Sequence, residues 1–252
     1  MTQVEKAQSL RALHQKGTPV VIYNIWDAGG AKTLEDAGAK AVATGSAPVA
    51  MAHGYADGEQ IPLEFVLQIV ERIASTVSLP VSVDFEGGYA REPEGITANV
   101  VKVIKAGAVG VNFEDRIVAG GGLYSVEEQA KRVKAVRAAG DQTGVPLVIN
   151  ARTDLFLGTD EATHEGSVAE AIERGKAYAA AGADCFFVPG LKNLDLIKQI
   201  VDAVSLPVNV IMLPPLSSVA EIAALGVGRV SYGPMAYKAA MADFAARFEA
   251  LG

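Results

Sequence analysis

Val81-Ser82-Val83-Asp84-Phe85-Glu86-Gly87-Gly88-Tyr89 is a short apolar run, entered through Pro80, that ends in two carboxylates at alternate positions. Such a run reads as a buried strand, and the glycine pair lets the chain turn away from it sharply. The same pattern returns at Val109-Gly110-Val111-Asn112-Phe113-Glu114-Asp115. Carboxylates at the exits of successive buried strands can converge on a hard divalent cation, because Mg²⁺ takes oxygen ligands and keeps several of its waters. One such cluster reads better as loop acids solvated at a strand end; two in register point to a metal or substrate site.

Working outward, further apolar runs appear at Pro19–Tyr23, Lys40–Thr44, Val145–Asn150, Asp184–Val188, Leu206–Ile211 and Gly228–Gly233. Helical patterns separate them: after a leading amphipathic helix over residues 3–16, they cover Ala28–Ala37 (capped by Asp27), Leu63–Thr76, Thr97–Ala106, Val126–Ala139, Val168–Ala181, Leu194–Val204, Val219–Leu225 and Met235–Ala250. The phrases Ala37-Gly38-Ala39, Ala106-Gly107-Ala108, Ala181-Gly182-Ala183 and Leu225-Gly226-Val227 each close a helix just before a strand. Eight strand–helix units in an unbroken rhythm predict an α/β fold, a single (β/α)₈ TIM barrel over residues 1–252, where a doubly wound sheet would need fewer strands or a break.

The chain of 252 residues is half hydrophobic and carries a formal charge of −7 with no basic run, which argues against a nucleic-acid partner. No apolar stretch reaches the ~18 residues of a membrane span, and the charged first sixteen residues have no signal-peptide core. A single cysteine, Cys185, lies in an apolar strand and reads as core rather than nucleophile; without a disulfide framework, a reducing cytoplasm is the expected location.

A barrel of this kind carries its active site at the C-terminal ends of the strands. The expected mouth holds Ser46, Asp57, Asp84, Glu86, Glu114, Asp115, Arg152, Asp154, Asn209 and Tyr232, with Asp184 at the opposite face. The small-residue loop Gly45-Ser46-Ala47-Pro48 can offer backbone N–H groups to an anion. Arg152 is open to two roles, gripping a substrate carboxylate bidentately or pairing structurally with Glu86 or Asp154. The glycine-rich segment Arg116–Tyr124 is long enough to be a lid and equally consistent with a mobile surface loop.

Along nearly its whole length the chain resembles the isocitrate lyase/phosphoenolpyruvate mutase superfamily. The resemblance rests on the Gly45-Ser46 loop, Asp57, Asp84-Phe85-Glu86-Gly87-Gly88-Tyr89, Asn112-Phe113-Glu114-Asp115 and Asn150-Ala151-Arg152-Thr153-Asp154. It implies Mg²⁺ (or Mn²⁺) held directly by Asp84, with Asp57, Glu86 and Glu114 on metal-bound waters. It also implies Ser46 and the Ala47 amide on a substrate carboxylate, Asp57, Glu114 and Arg152 as catalytic groups, and a homo-oligomer, dimer or tetramer. The lyases' Lys-x-Cys-Gly-His loop is absent here, since Arg116–Ser125 contains no Lys, Cys or His. The function so implied is a Mg²⁺-dependent lyase that breaks a C–C bond, by decarboxylation or retro-aldol cleavage, in a small 2-oxo or 2-hydroxy dicarboxylic acid such as an oxaloacetate derivative. The alternatives are a P–C bond mutase or hydrolase on phosphonopyruvate-like substrates, and a non-catalytic dicarboxylate-binding protein.

Overall fold

The computed structural model of the chain describes residues 1–118, 120–216 and 218–252. Eight parallel strands form one sheet: β1 (Val20–Ile22), β2 (Val42–Ala43), β3 (Val81–Asp84), β4 (Gly110–Glu114), β5 (Val148–Arg152), β6 (Cys185–Phe187), β7 (Val208–Ile211) and β8 (Arg229–Ser231). They run in the order β1-β8-β7-β6-β5-β4-β3-β2. The ring closes between the first two strands through the bridge Ile25↔Thr44, with Ile25 N–H donating to Ala43 O at 2.9 Å. The expected single-domain (β/α)₈ barrel is the fold. Its strands are short and rich in Val and Ile because, Val21 of β1 apart, both their faces are largely buried, inside the barrel and beneath the helices.

The helices are α1 (Gln3–Leu13), α2 (Ala28–Asp36), α3 (Ser46–Ala52), α4 (Leu63–Thr76), α5 (Pro93–Lys105), α6 (Val126–Thr143), α7 (His164–Ala180), α8 (Leu194–Ala203), α9 (Val219–Ala224) and α10 (Met235–Glu249). Asp27 caps α2 by accepting from Gly30 N–H at 2.6 Å. Gly38, Gly107, Gly182 and Gly226 follow α2, α5, α7 and α9 at φ between 90° and 104°, a left-handed turn that opposes a side chain.

Two ends of the molecule depart from a plain alternation. Helix α1 lies across the N-terminal end of the barrel. Gln3 donates to the carbonyls of Ile104 and Ala108, and Arg11 pairs with Asp184 at 2.8 Å. Asp184 thus belongs to the closed face, where it also receives Ile149 N–H and Arg137. Helix α10 starts against the barrel, with Tyr237 edge-on to Trp26, but Ala236 is its only buried residue. Phe244 and Phe248 are each 73% exposed, and Val21 on the outer face of β1 is 44% exposed.

Three local expectations change. Gly45–Pro48 is not a free loop: Ser46 begins α3, with Gly45 as its cap. Helix α6 continues to Thr143 before Gly144 ends it. Strand β5 extends through Arg152, which pairs in register with Glu114 of β4, so these opposite charges sit side by side at one sheet edge.

Candidate active site

The C-terminal ends of the strands bring Ser46, Asp57, Asp84, Glu86, Glu114 and Arg152 around two adjoining cavities of about 340 and 170 Å³. The first is lined by Ser46, Asp57, Glu86, Glu114, Arg116 and Arg152; the second shares Ser46, Asp57 and Arg152 and adds Ala47, Asp84, Asn112 and Asn24. Asp84, last in β3, is held by its neighbours: its N–H donates to Thr44 Oγ1 at 3.0 Å and its Oδ2 accepts from Ser46 N–H at 3.1 Å. The other oxygen, Oδ1, is buried and has no hydrogen-bond partner among the described residues. A carboxylate oxygen sealed from water without a donor is costly, and a bound cation would satisfy it.

Glu86 follows the strand in a left-handed conformation, φ 49°, which swings its side chain back over the mouth. Tyr89 (φ 54°) and Glu59 (φ 55°) share that strained region, and among the described residues these three are the only non-glycines that do. They are tied together: Glu59 N–H donates to Glu86 Oε2 at 2.9 Å, and Tyr89 N–H donates to Glu59 Oε1 at 2.8 Å. No sequence signal marks Glu59, beyond the glycine before it.

The electrostatics follow from crowding. Burial, and then Asp57 and Asp84, push the Glu86 carboxyl up to about 8. Burial followed by the repulsion of Asp84 raises Asp57 as well, while the Ser46 hydroxyl pulls the other way. The Arg152 side chain is 11% exposed, and its Nε and Nη2 grip Asp154 at 2.6 and 2.9 Å while Nη1 faces Glu114 Oε2 at 3.0 Å. Burial lowers the arginine, but Glu114 and Asp154 outweigh it, so it stays charged. With its charge already matched by Asp154, Glu114 is the surplus carboxyl, and burial raises it well above the usual range. The structural partners of Arg152 are therefore Asp154 and Glu114, not Glu86. Two of the five guanidinium N–H groups are used in hydrogen bonds to Asp154, and Nη1 pairs with Glu114 by charge.

Three residues expected at the mouth do other work. Asp115 is fully buried under it, accepting from Asp154 N–H at 3.0 Å, Arg174 at 3.0 Å and Tyr178 OH at 2.9 Å. Adjacent residues leave a strand on opposite faces, so Glu114 and Asp115 cannot both turn inward. Asn209 lies within the barrel, where its Oδ1 accepts from Ser231 Oγ at 3.4 Å. Tyr232 packs on Tyr23 with ring centroids 5.2 Å apart. The backbone N–H supply of α3 is also narrower than expected. Ser46 N–H goes to Asp84, Pro48 has none, and Val49 N–H goes to Gly45 O, so Ala47 N–H is the one without an acceptor among the described residues.

In the Arg116–Tyr124 segment, where Ala119 lies outside the described residues, the two arms pair as in a hairpin. Arg116 bridges Leu123, and Ile117 N–H donates to Gly122 O at 2.9 Å. Val118 leans over the mouth: a β-carbon on Gly87 would stand 3.3 Å from it.

Could these residues hold a metal? Among the described residues no three His, Cys, Asp or Glu side chains are gathered closely enough to grip an ion by themselves. The donor set is nevertheless all oxygen, with one unpartnered carboxylate oxygen and three further carboxyls nearby. That fits an ion that keeps most of its own waters, as Mg²⁺ does.

The family profile described as phosphoenolpyruvate phosphomutase matches residues 10–251. The 2-methylisocitrate lyase of Escherichia coli (strain K12) is 31% identical over 211 residues, 80% of this chain and 68% of that enzyme. An oxaloacetate decarboxylase of Pseudomonas entomophila (strain L48) is 32% identical over 186 residues, 71% of this chain and 60% of that enzyme. Among solved structures, a candidate phosphonomutase from Burkholderia cenocepacia J2315 superposes with a TM-score of 0.96 at 43% identity, covering 99% of this chain and 100% of the other. A phosphonopyruvate hydrolase in complex with oxalate and Mg²⁺ gives 0.86 at 27% identity, covering 98% and 86%.

Proposed function

This chain belongs to the isocitrate lyase/phosphoenolpyruvate mutase superfamily, and from that premise we propose that it is a Mg²⁺-dependent lyase that breaks a C–C bond in a small 2-oxo or 2-hydroxy dicarboxylic acid of the oxaloacetate type. The observation that carries the reading is the orphaned Asp84 oxygen amid surplus carboxyls, beside a hairpin with no thiol or imidazole. Bound there, Mg²⁺ would supply the electrostatic sink for the electron pair left when the C–C bond breaks. Asp84 would hold it, with Asp57, Glu86 and Glu114 on its waters.

The chain's own groups divide the rest. Ala47 N–H and the Ser46 hydroxyl bind one substrate carboxylate at the cavity they line. Arg152 offers its unused N–H groups to the substrate while holding Asp154 and Glu114 in place. Asp57, on the rim, accepts the hydroxyl proton when the substrate is a 2-hydroxy acid. A β-keto acid asks for less: once CO₂ leaves, the proton can come from water, so no group on the hairpin is needed. The hairpin, through Val118, excludes bulk water.

P–C chemistry on a phosphonopyruvate-like acid is the second reading, favoured by the likeness to the candidate phosphonomutase and by Asp57, whose raised carboxyl faces the cavity as a nucleophile or base would. The exposed apolar flank of α10 and the uncovered Val21 support a homo-oligomer in which another copy covers them. Turnover of oxaloacetate, 2-methylisocitrate and phosphonopyruvate, with and without Mg²⁺, tests the reading. Mg²⁺-dependent release of CO₂ and pyruvate from oxaloacetate is expected. Turnover of phosphonopyruvate alone would favour the second reading, and binding of all three without turnover would mark a dicarboxylate-binding protein.

A further inference from the structure

Arg229 is the bulkiest of the completely buried side chains, and among the described residues no carboxylate lies within ion-pair distance of it. It sits inside the barrel, below the mouth, and its Nε has no partner among the described residues. A sealed, unpaired guanidinium is expensive, so something must depend on its being there. Its two terminal nitrogens have defined directions. Nη1 faces His14 Nε2 at 3.5 Å, and Nη2 donates to Asn112 Oδ1 at 3.3 Å.

Those contacts determine which atoms face which way. Leu10 O, 2.7 Å from His14 Nδ1, can only accept, so the histidine proton is on Nδ1 and Nε2 is a bare acceptor toward Arg229. Burial and the neighbouring Arg229 hold His14 down at about 4, which keeps it neutral. At the other end a guanidinium can only donate, so the Asn112 atom facing it must be the oxygen. Asn150 Nδ2 donates to the same oxygen at 2.9 Å. Doubly bonded through Oδ1, the Asn112 amide cannot rotate without breaking both contacts. Its Nδ2 meets no acceptor among the described residues, although the side chain is only 4% exposed and lines the smaller cavity with Asp84, Ala47 and Arg152.

We propose that Asn112 is a substrate-contact residue, whose Nδ2–H₂ donates to a carbonyl or carboxylate oxygen of the 2-oxo acid, and that Arg229 is the positioning residue that locks this amide from beneath. The proposal rests on the reading of the mouth as a 2-oxo-acid site. In a mouth crowded with carboxyls, a fixed neutral donor attracts a substrate oxygen without adding charge, and an amide free to flip would present its own oxygen half of the time.

Calorimetry with oxalate, a planar dianion that resembles a 2-oxo acid enolate, at saturating Mg²⁺ tests this. Asn112→Asp, which replaces the donor by an acceptor, should weaken oxalate at least about tenfold. Arg229→Met, which keeps the volume and removes the donors, should weaken it comparably, and Arg229→Lys should restore part of the loss. The decisive measurement is the cycle of Asn112→Ala and Arg229→Met. If Arg229 acts through Asn112, the double variant binds no more weakly than Asn112→Ala alone. Additive losses, or unaltered affinity in a folded Asn112→Asp variant, would overturn the proposal and leave the proposed function standing. Should Arg229→Met not fold, the Asn112→Asp result decides alone. Failure of the unsubstituted protein to bind oxalate with Mg²⁺ would instead overturn the reading of the site, and the proposal with it.

Discussion

Replacing Arg152 by lysine separates the two tasks that this side chain performs. The guanidinium reaches Asp154 with two bonds, 2.6 and 2.9 Å, and Glu114 at 3.0 Å, all nearly shielded from water. An ammonium has one nitrogen and cannot span both carboxylates in the planar fork. One or two hydrogen bonds to charged groups, ~1.5–3 kcal/mol each, would be lost. If a single such bond bears on the mouth, Arg152→Lys should lower kcat/KM by ~10- to 10²-fold. The same loss should reduce Tm by roughly 3–12 °C, at about 2–4 °C per kcal/mol for a chain of this size. Steady-state kinetics on oxaloacetate, oxalate calorimetry and a thermal melt on one preparation make the test. A lower Tm with unchanged kinetics would show that Arg152 only braces Asp154 and Glu114. Wild-type values in all three would refute the pairing itself.

Asp84→Asn keeps the Ser46 contact geometry but removes the charge, so Mg²⁺ affinity should fall at least ~10-fold in a folded protein, and unchanged affinity by calorimetry would take Asp84 away from the metal. Because the Glu86 carboxyl is raised from 4.5 to about 8, the metal-free fold favours its protonated form; that stabilisation is complete below about pH 4.5 and disappears as pH rises through about 8. Metal binding needs the ionised form, so Mg²⁺ affinity should rise from pH 6 to 8 with proton release, and Glu86→Gln should flatten both trends; equal affinity across that range would count against it. With no acid or base side chain on the Arg116–Tyr124 hairpin, cleavage of 2-methylisocitrate should run ~10²-fold or more below oxaloacetate decarboxylation, a ratio that efficient 2-methylisocitrate turnover would contradict. Covering Phe244 and Phe248 in an assembly is worth ~1.5–3 kcal/mol each, so replacing both by serine should weaken association ~10²- to 10⁴-fold by light scattering; a monomeric unsubstituted protein would dispose of that interface.

The sequence by itself determined the barrel and brought Asp57, Asp84, Glu86 and Glu114 to its mouth, because both follow from short-range patterns. Apolar runs such as Val81–Asp84 declare strands, Gly107 and Gly182 mark where helices stop, and the last residue of a strand in this fold must face the open end. Period-two alternation even contained the answer that Glu114 and Asp115 must part, one toward the cavity and one toward Arg174 and Tyr178. What tertiary structure alone decided were the partners of each charge. Arg152 meets Glu114 rather than Glu86 because β4 and β5 run in register, and a left-handed turn carries Glu86 to the other wall, beside Glu59. Arg229, over a hundred positions from Asn112, reaches it only once the ring of strands closes, and α10 leaves its own barrel although its apolar residues resemble those of its packed neighbours. Local propensity acts over a few residues along the chain, whereas Coulomb forces and burial act through space, and the distances they depend on exist only after the barrel has formed.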